Sequence, residues 1–367
     1  MARRNEQSAI PVFLLTGFLG AGKTTLLNRI LENPAFRDTA VIINEFGLVP
    51  VDHDLVREGR EHPVVTTTGC ICCTVGSDLR SSLDELLVMR RKGGLPPFSR
   101  IIVETTGLAD PAPLINSLIP GGLPALSLRD HAVARAFHLS GVITVVDVQG
   151  IGDVLDAHPE SLKQIAFADH AVLTRTDLAP AGDWPARLAA INPALRIQDA
   201  AAPDFDMAAL LAPGSYSAFG KGEGVADWLA AEGTHDHGHG GHFHNLNRHG
   251  NVLAIPLLRD DPVDGRALRQ LLARLTQTPG NGLLRIKGLV ALQDDPSSPA
   301  VVHAVQHRLY PIERLDGWPN GEASSRLVLI GTNLDEDALR REFAALSGKP
   351  QPFLTMAFEA FRRGAAS

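Results

Sequence analysis

Nine consecutive residues, Gly17-Phe18-Leu19-Gly20-Ala21-Gly22-Lys23-Thr24-Thr25, make one chemical unit. Gly17 to Thr24 matches the pattern G-x-x-x-x-G-K-[ST], a glycine-rich turn that opens a helix. Glycines let successive backbone N–H groups wrap phosphate oxygens, and the helix N-terminus adds its dipole. In such a loop Lys23 is expected to reach the β- and γ-phosphates, and the Thr24 hydroxyl to bind Mg²⁺. Gly17, Gly20, Ala21, Gly22 and Thr25 supply the rest of the cradle.

A second group follows an apolar run, Ile101-Ile102-Val103, which ends at Glu104. A carboxylate there can hold Mg²⁺ through water or polarise an attacking water. Gly107 can bring its backbone N–H close to a γ-phosphate, because glycine allows close approach. Asn44-Glu45-Phe46-Gly47 follows another apolar run, at the place of a switch loop. Glu45 can face the γ-phosphate, a thiolate-bound metal or solvent.

All three cysteines lie together, in Gly69-Cys70-Ile71-Cys72-Cys73. Alternate side chains of an extended segment share a face, so Cys70 and Cys72 converge and Cys73 joins them if the chain turns. Thiolates suit Zn²⁺ or Cu(I), and Co²⁺ in cobalt-handling proteins. Three ligands leave one tetrahedral position open, which favours transient binding over permanent structure. Buried inert thiols or a vicinal disulfide are the rival readings.

Thr174-Arg175-Thr176-Asp177 follows a further apolar run and resembles the guanine-reading N/T-K-x-D pattern. Asp177 can accept from guanine N1–H and the exocyclic amine, a donor pair adenine lacks. Arg175 stands where lysine is usual, and its stem or guanidinium plane can cover the base as lysine does. Alternatively Asp177 caps a helix beginning at Leu178.

These groups need a scaffold. Strands are expected at Pro11–Thr16, Ala40–Asn44, Arg100–Glu104, Gly141–Asp147 and Ala171–Thr174, with helices at Thr24–Glu32 and Ser77–Arg91. This alternation implies an α/β domain of the P-loop NTPase kind over 11–215, a mainly parallel sheet covered by helices on both faces. Residues 216–250 read as a Gly/His-rich linker holding six histidines between His235 and His249. It is either a weak metal reservoir or a solvated tether. Over 251–363 the order changes: strands at Val252–Leu258, Gly282–Gln293, Val301–Tyr310 and Arg326–Gly331, helices at Val263–Thr276 and Asp335–Leu346. A smaller α+β domain fits that order.

Composition sets limits. The 367 residues are 44% hydrophobic and 20% charged, with a formal net charge of -7, which argues against broad nucleic-acid binding. No apolar run reaches membrane-spanning length. The short run Val12–Leu15 enters the glycine loop directly and reads as a buried strand rather than a signal segment. Free thiols beside a nucleotide site point to a reducing cytoplasm.

Together, Thr16–Thr25, Asn44–Gly47, Gly69–Cys73, Glu104–Pro111 and Thr174–Asp177 resemble the CobW-like, or zinc-metallochaperone-like, P-loop GTPases, relatives of UreG and HypB. Leu284-Arg285-Ile286-Lys287-Gly288 and Leu327–Leu334 resemble the CobW C-terminal domain. The resemblance spans most of residues 11–360. It implies hydrolysis of GTP to GDP coupled to delivery of a transition metal, Zn²⁺ first and Co²⁺ next, to a client metalloprotein. It also implies that Cys70, Cys72 and Cys73 hold metal when GTP orders the switch loops, with Lys23, Glu104 and Glu45 in catalytic roles. Arg175 departs from the family pattern, as do Ile43 and Leu48, where some relatives carry extra carboxylates. No arginine finger is evident in cis, so turnover is expected to be slow. Rival readings are a cobalt or iron insertion factor, a zinc storage or sensing switch, and a small-molecule kinase. The oligomeric state stays open, a homodimer included.

Overall fold

The strand that leads into the glycine loop is apolar on both faces because both faces are covered. In a computed structural model, residues 9–44, 65–67, 75–93, 95, 97–119, 128–212, 252–278, 280, 282–319 and 323–346 are described. The cysteine loop, Glu45 and the linker 216–250 lie outside them, as do residues 347–363 of the expected second domain.

The first body runs β1 (Ile10–Gly17), α1 (Lys23–Glu32), β2 (Thr39–Asn44), β3 (Val65–Thr67), α2 (Val75–Arg91), β4 (Arg100–Thr105), α3 (Ala112–Leu118) and α4 (Leu128–Ala136). It continues with β5 (Phe137–Asp147), α5 (Ile151–Ala157), α6 (Pro159–Phe167), β6 (His170–Thr174), α7 (Trp184–Ile191), β7 (Arg196–Asp199) and α8 (Met207–Leu210). Seven strands pair in the order β3-β2-β4-β1-β5-β6-β7, all parallel. Alternation along β1 sends Val12 and Leu14 into one apolar cluster, with Leu83, Leu86 and Ile115. It sends Phe13 and Leu15 into another, with Leu26, Leu27 and Ile30 of α1. Each such fully buried side chain contributes roughly 1.5–3 kcal/mol. The expected α/β P-loop architecture is what forms.

The second body holds β8 (Val252–Arg259), α9 (Gly265–Gln277), β9 (Leu283–Leu292), β10 (Asp295–Val305), β11 (Arg308–Leu309), β12 (Glu313–Arg314), β13 (Ser325–Thr332) and α10 (Glu336–Ala344). Its sheet runs β11-β10-β9-β13-β8, with β12 on β10, and every pair is antiparallel. The expected strand Val301–Tyr310 divides, because Gln306 adopts φ +50° and the chain turns before β11. The expected helix start at Val263 moves to Gly265. The Asp264 side chain accepts from the N–H groups of Arg266 and Ala267, at 3.0 and 2.7 Å, and so caps α9.

β9 is buried along its whole length. One face packs Ile286 and Val290 under α9 and α10. The other carries Arg285 and Lys287, two residues apart and therefore side by side, against the first body. Arg285 donates to Phe167 O and Ala168 O, at 2.9 and 3.0 Å, and to Asp169 Oδ1 at 2.9 Å. Lys287 Nζ lies 3.3 Å from the same oxygen. Asp169 Oδ2 accepts from the N–H of Val142 at 3.0 Å. Burial alone would raise the Asp169 pKa, but Lys287 and Arg285 hold it well below the carboxylate range. Burial pushes Lys287 down to about 7, opposed by Asp169.

Candidate functional site

Parallel pairing brings the C-terminal ends of β1, β4, β5 and β6 to one edge of the sheet, where loops can converge on a ligand. Leu15 pairs with Glu104, Gly17 with Val145, and Asp147 with Thr174. Close packing dictates the first glycine. Gly17 has φ +135°, and a Cβ there would sit 2.4 Å from Val145 O. Gly107 meets the loop from the other side: its Cβ would lie 2.3 Å from Leu19 N. The residue after the β4 turn is thus pressed against the glycine loop.

Helix α1 opens at Gly22 with no side-chain cap and no acidic residue in its first turn. Its first N–H groups are left for an anion. Lys23 is buried, and its Nζ donates to Gly17 O and Phe18 O, both at 3.0 Å. Burial lowers its pKa, and Glu104 opposes that shift. Ala21 is buried, and Thr25 is exposed beside it.

Thr24 Oγ1 donates to Glu104 Oε1 at 2.7 Å. Glu104 is 6% exposed. A hydroxyl and a carboxylate held together beside a phosphate cradle are hard oxygen donors, the set that Mg²⁺ prefers. The residues fit that ion.

The segment Thr174–Asp177 is fastened to the same loop. Thr174 Oγ1 donates to Ala21 O at 2.8 Å. Arg175 takes φ +59°, and its guanidinium pairs with Asp147 and donates to Gly20 O at 3.1 Å. Thr176 Oγ1 donates to Asp199 Oδ1 at 2.6 Å. Asp177 is exposed in a turn in which the N–H groups of Leu178 and Ala179 donate to Arg175 O. No helix begins there: α7 starts at Trp184, so the capping alternative for Asp177 fails.

Three partners were not among the site residues expected from the sequence. Asp147 anchors Arg175. Asp199 holds Thr176 from the last strand of the sheet. Gln164, 1% exposed on α6, donates to Gly107 O at 3.0 Å and Ala109 O at 3.2 Å. An aspartate at the end of an apolar strand was a usable hint for Asp147. A glutamine inside a buried helical run was a weaker one for Gln164.

Among the described residues, no group of three or more His, Cys, Asp or Glu is arranged to hold a metal ion, and no helix is long and apolar enough to cross a membrane. Cys70, Cys72, Cys73, Glu45 and the histidine run lie outside those residues.

Residues 11–199 match the family described as CobW/HypB/UreG, nucleotide-binding domain, and residues 254–347 match the cobalamin synthesis protein cobW C-terminal domain. The chain belongs to the CobW/HypB/UreG family. Among CobW-type relatives, "Zinc chaperone YjiA" of Escherichia coli is 32% identical, over 92% of this chain and 98% of that protein. "Zinc chaperone CobW" of Pseudomonas aeruginosa is 30% identical, over 93% and 94%. The crystal structure of Zn(II)-bound YjiA GTPase from E. coli superposes with a TM-score of 0.68 at 27% identity, over 92% of this chain and 99% of that one. This CobW-type chain therefore shares both domains with those relatives, in the same order.

Proposed function

We propose that this protein is a GTP-hydrolysing zinc chaperone. One observation carries the reading: a fully formed phosphate cradle, with Thr24 and Glu104 joined across it, in a chain that matches a zinc chaperone along nearly its whole length.

Each residue has a task. Lys23 leaves the Gly17 and Phe18 carbonyls to neutralise the β- and γ-phosphates, while the backbone of Gly17, Gly20, Ala21, Gly22 and Thr25 wraps them. Thr24 and Glu104 would hold Mg²⁺, which supplies charge compensation to the phosphates when bound. The Gly107 N–H faces the γ-phosphate. Thr174 and Arg175 hold the reading turn on the loop, and Asp177 selects guanine. Water attacks the γ-phosphorus, the bond to the β–γ bridging oxygen breaks, and GDP and phosphate leave. Zinc is cargo, held by Cys70, Cys72 and Cys73 as thiolates, with Glu45 beside the switch. GTP favours the closed thiolate site and hydrolysis opens it towards a client metalloprotein. Linkage makes the coupling mutual: zinc then tightens GTP by the factor by which GTP tightens zinc.

The test is chelator competition with Zn²⁺, Co²⁺ and Ni²⁺, in a non-hydrolysable GTP analogue and in GDP. Tighter Zn²⁺ binding in the GTP analogue is the expected result. Equal zinc affinity in the two states rejects the coupling, and a cobalt preference identifies a cobalt insertion factor instead.

A further inference from the structure

The loop after β4 is gripped from two sides, and both grips lead to the second body. On one side Gln164 of α6 holds Gly107 O and Ala109 O, and Lys163 on the same helix pairs with Asp110 at 2.6 Å. The C-terminal carbonyls of α6 are in turn clasped by Arg285 of β9. On the other side Asp110 Oδ1 accepts from the N–H of Ala112 at 2.9 Å at the start of α3. Further along α3, Asn116 accepts from the Tyr310 hydroxyl of the second body at 2.5 Å. Helix α6 is buried on nearly every side, so it moves only as a rigid piece.

We propose that Gln164 is a positioning residue for GTP hydrolysis, and that through α6 the C-terminal domain sets the geometry of the Gly107 loop. The inference rests on the reading of Gly107 as the γ-phosphate contact. The chemistry is specific. The Gln164 carboxamide donates to two carbonyls of one short loop and so fixes the 107–108 and 109–110 peptide planes. The Gly107 N–H lies in the adjoining 106–107 plane, which the Ala109 N–H also holds by donating to Thr106 O at 3.1 Å. It must point at the phosphate in the transition state. Freeing the Gly107 carbonyl lets the loop rotate about Gly107 and turns that N–H away. Because Arg285 grips the last turn of the same helix, a shift of β9 relative to β6 moves Gln164 with it. Anything that binds the C-terminal domain and displaces β9, a client protein included, then alters the hydrolysis rate without touching nucleotide.

Full-length Gln164→Met keeps the side chain's length and removes its donors. Steady-state GTP hydrolysis and equilibrium binding of a fluorescent GTP analogue are measured together. The expected result is a fall in kcat of about tenfold, the rate equivalent of one misplaced hydrogen-bond donor, with analogue affinity within about twofold of wild type. Full-length Arg285→Lys keeps a charge beside Asp169 but loses the fork across Phe167 and Ala168. It is expected to lower kcat in the same direction by about threefold, again without weakening binding. Hydrogen exchange of the 105–110 amides supplies a readout independent of turnover: the GTP analogue protects them in wild type and less so in both variants.

Wild-type kcat in Gln164→Met overturns the positioning role. Parallel losses in kcat and binding overturn it too, since a loosened fold gives that pattern. If Gln164→Met does not fold, Tyr310→Phe takes its place, and unchanged kcat and loop exchange there and in Arg285→Lys overturn the proposal. Wild-type protein that binds no GTP removes the nucleotide reading itself, an outcome distinct from wild-type binding with unaffected variants.

Discussion

Thr24 and Glu104 stand 80 positions apart in the chain, yet the hydroxyl of one donates to the carboxylate of the other at 2.7 Å. The contact exists because β1 and β4 are neighbours in register, Leu15 beside Glu104, and because α1 begins directly above β1. Glu104→Gln keeps the shape and removes the charge. We expect kcat for GTP to fall roughly 100-fold and the Mg²⁺ dependence of GTP affinity to weaken. A magnesium titration of nucleotide binding, run beside steady-state hydrolysis, checks both. Full activity in that variant would exclude Glu104 from the magnesium site.

In the proposed function, base choice hangs on Asp177, whose turn is bolted to the glycine loop by Thr174 and Arg175. Asp177→Asn converts one acceptor into a donor that opposes guanine N1–H. Preference for GTP over ATP should drop about tenfold or more, the usual worth of a hydrogen bond to a charged group. Competition between the two nucleotides on wild type and variant measures it. An unaltered preference would assign the reading elsewhere, with Asp199 the next residue to test.

The cargo claim depends on thiolates. Serine at positions 70 and 72 together should abolish tight, GTP-dependent zinc binding while GTP still binds, since neither cysteine belongs to the phosphate loop. Ligand thiols must lose protons, so zinc affinity in wild type should rise with pH. The assay is chelator competition in the presence of the GTP analogue. Wild-type zinc affinity in Cys70→Ser/Cys72→Ser would sink the chaperone reading.

Acid should weaken the union of the two bodies. Burial pushes His170 down to about 4, opposed by Asp169 and reinforced by Arg196 and Lys287. Burial likewise lowers His303 well below its ordinary value, with Arg285 and Lys287 adding to the effect and Asp169 opposing it. Both stay neutral in the folded chain at a pH where the unfolded chain has charged them. Folded pKa values below unfolded ones mean that the folded state is favoured above about pH 6.5 and loses ground as pH falls towards 4. Near pH 5 unfolding should take up about two protons from this pair. Below about pH 4 Asp169 adds its share, because the unfolded chain takes up a proton there while the folded carboxylate stays ionised between Arg285 and Lys287. Urea unfolding midpoints from pH 7.5 to 4.5 measure the slope, and a flat profile would show that the two rings titrate normally.

Much of this was legible from residue order, and the limits are instructive. The glycine loop, Glu104 and Thr174–Asp177 were readable because each sits just beyond a short apolar run, and strand ends on one side of a parallel sheet must converge. Strand β7 was not, since Arg196–Asp199 is only partly buried and carries no apolar signal. Strand β5 begins at Phe137 rather than at Gly141, because His138 and Ser140 interrupt an apolar pattern that the fold tolerates. Gln164 and Asp147 carried only hints, for a different reason. Their roles depend on which loops lie opposite them, and only the assembled sheet decides that.

The clasp of Arg285 and Lys287 on Asp169 also bears on how such chains can be recombined. A first body cut free at residue 212 would expose the α6–β6 corner with an anionic side chain whose cationic counterparts had gone. A foreign C-terminal domain grafted in its place would need a cationic fork at the same register of its central strand. Modular exchange between family members should therefore succeed or fail on two positions of β9, whatever the overall similarity of the donor. Random truncation libraries would reveal this as a gap: few soluble fragments ending between β7 and the end of β13, the last strand that β9 needs beside it.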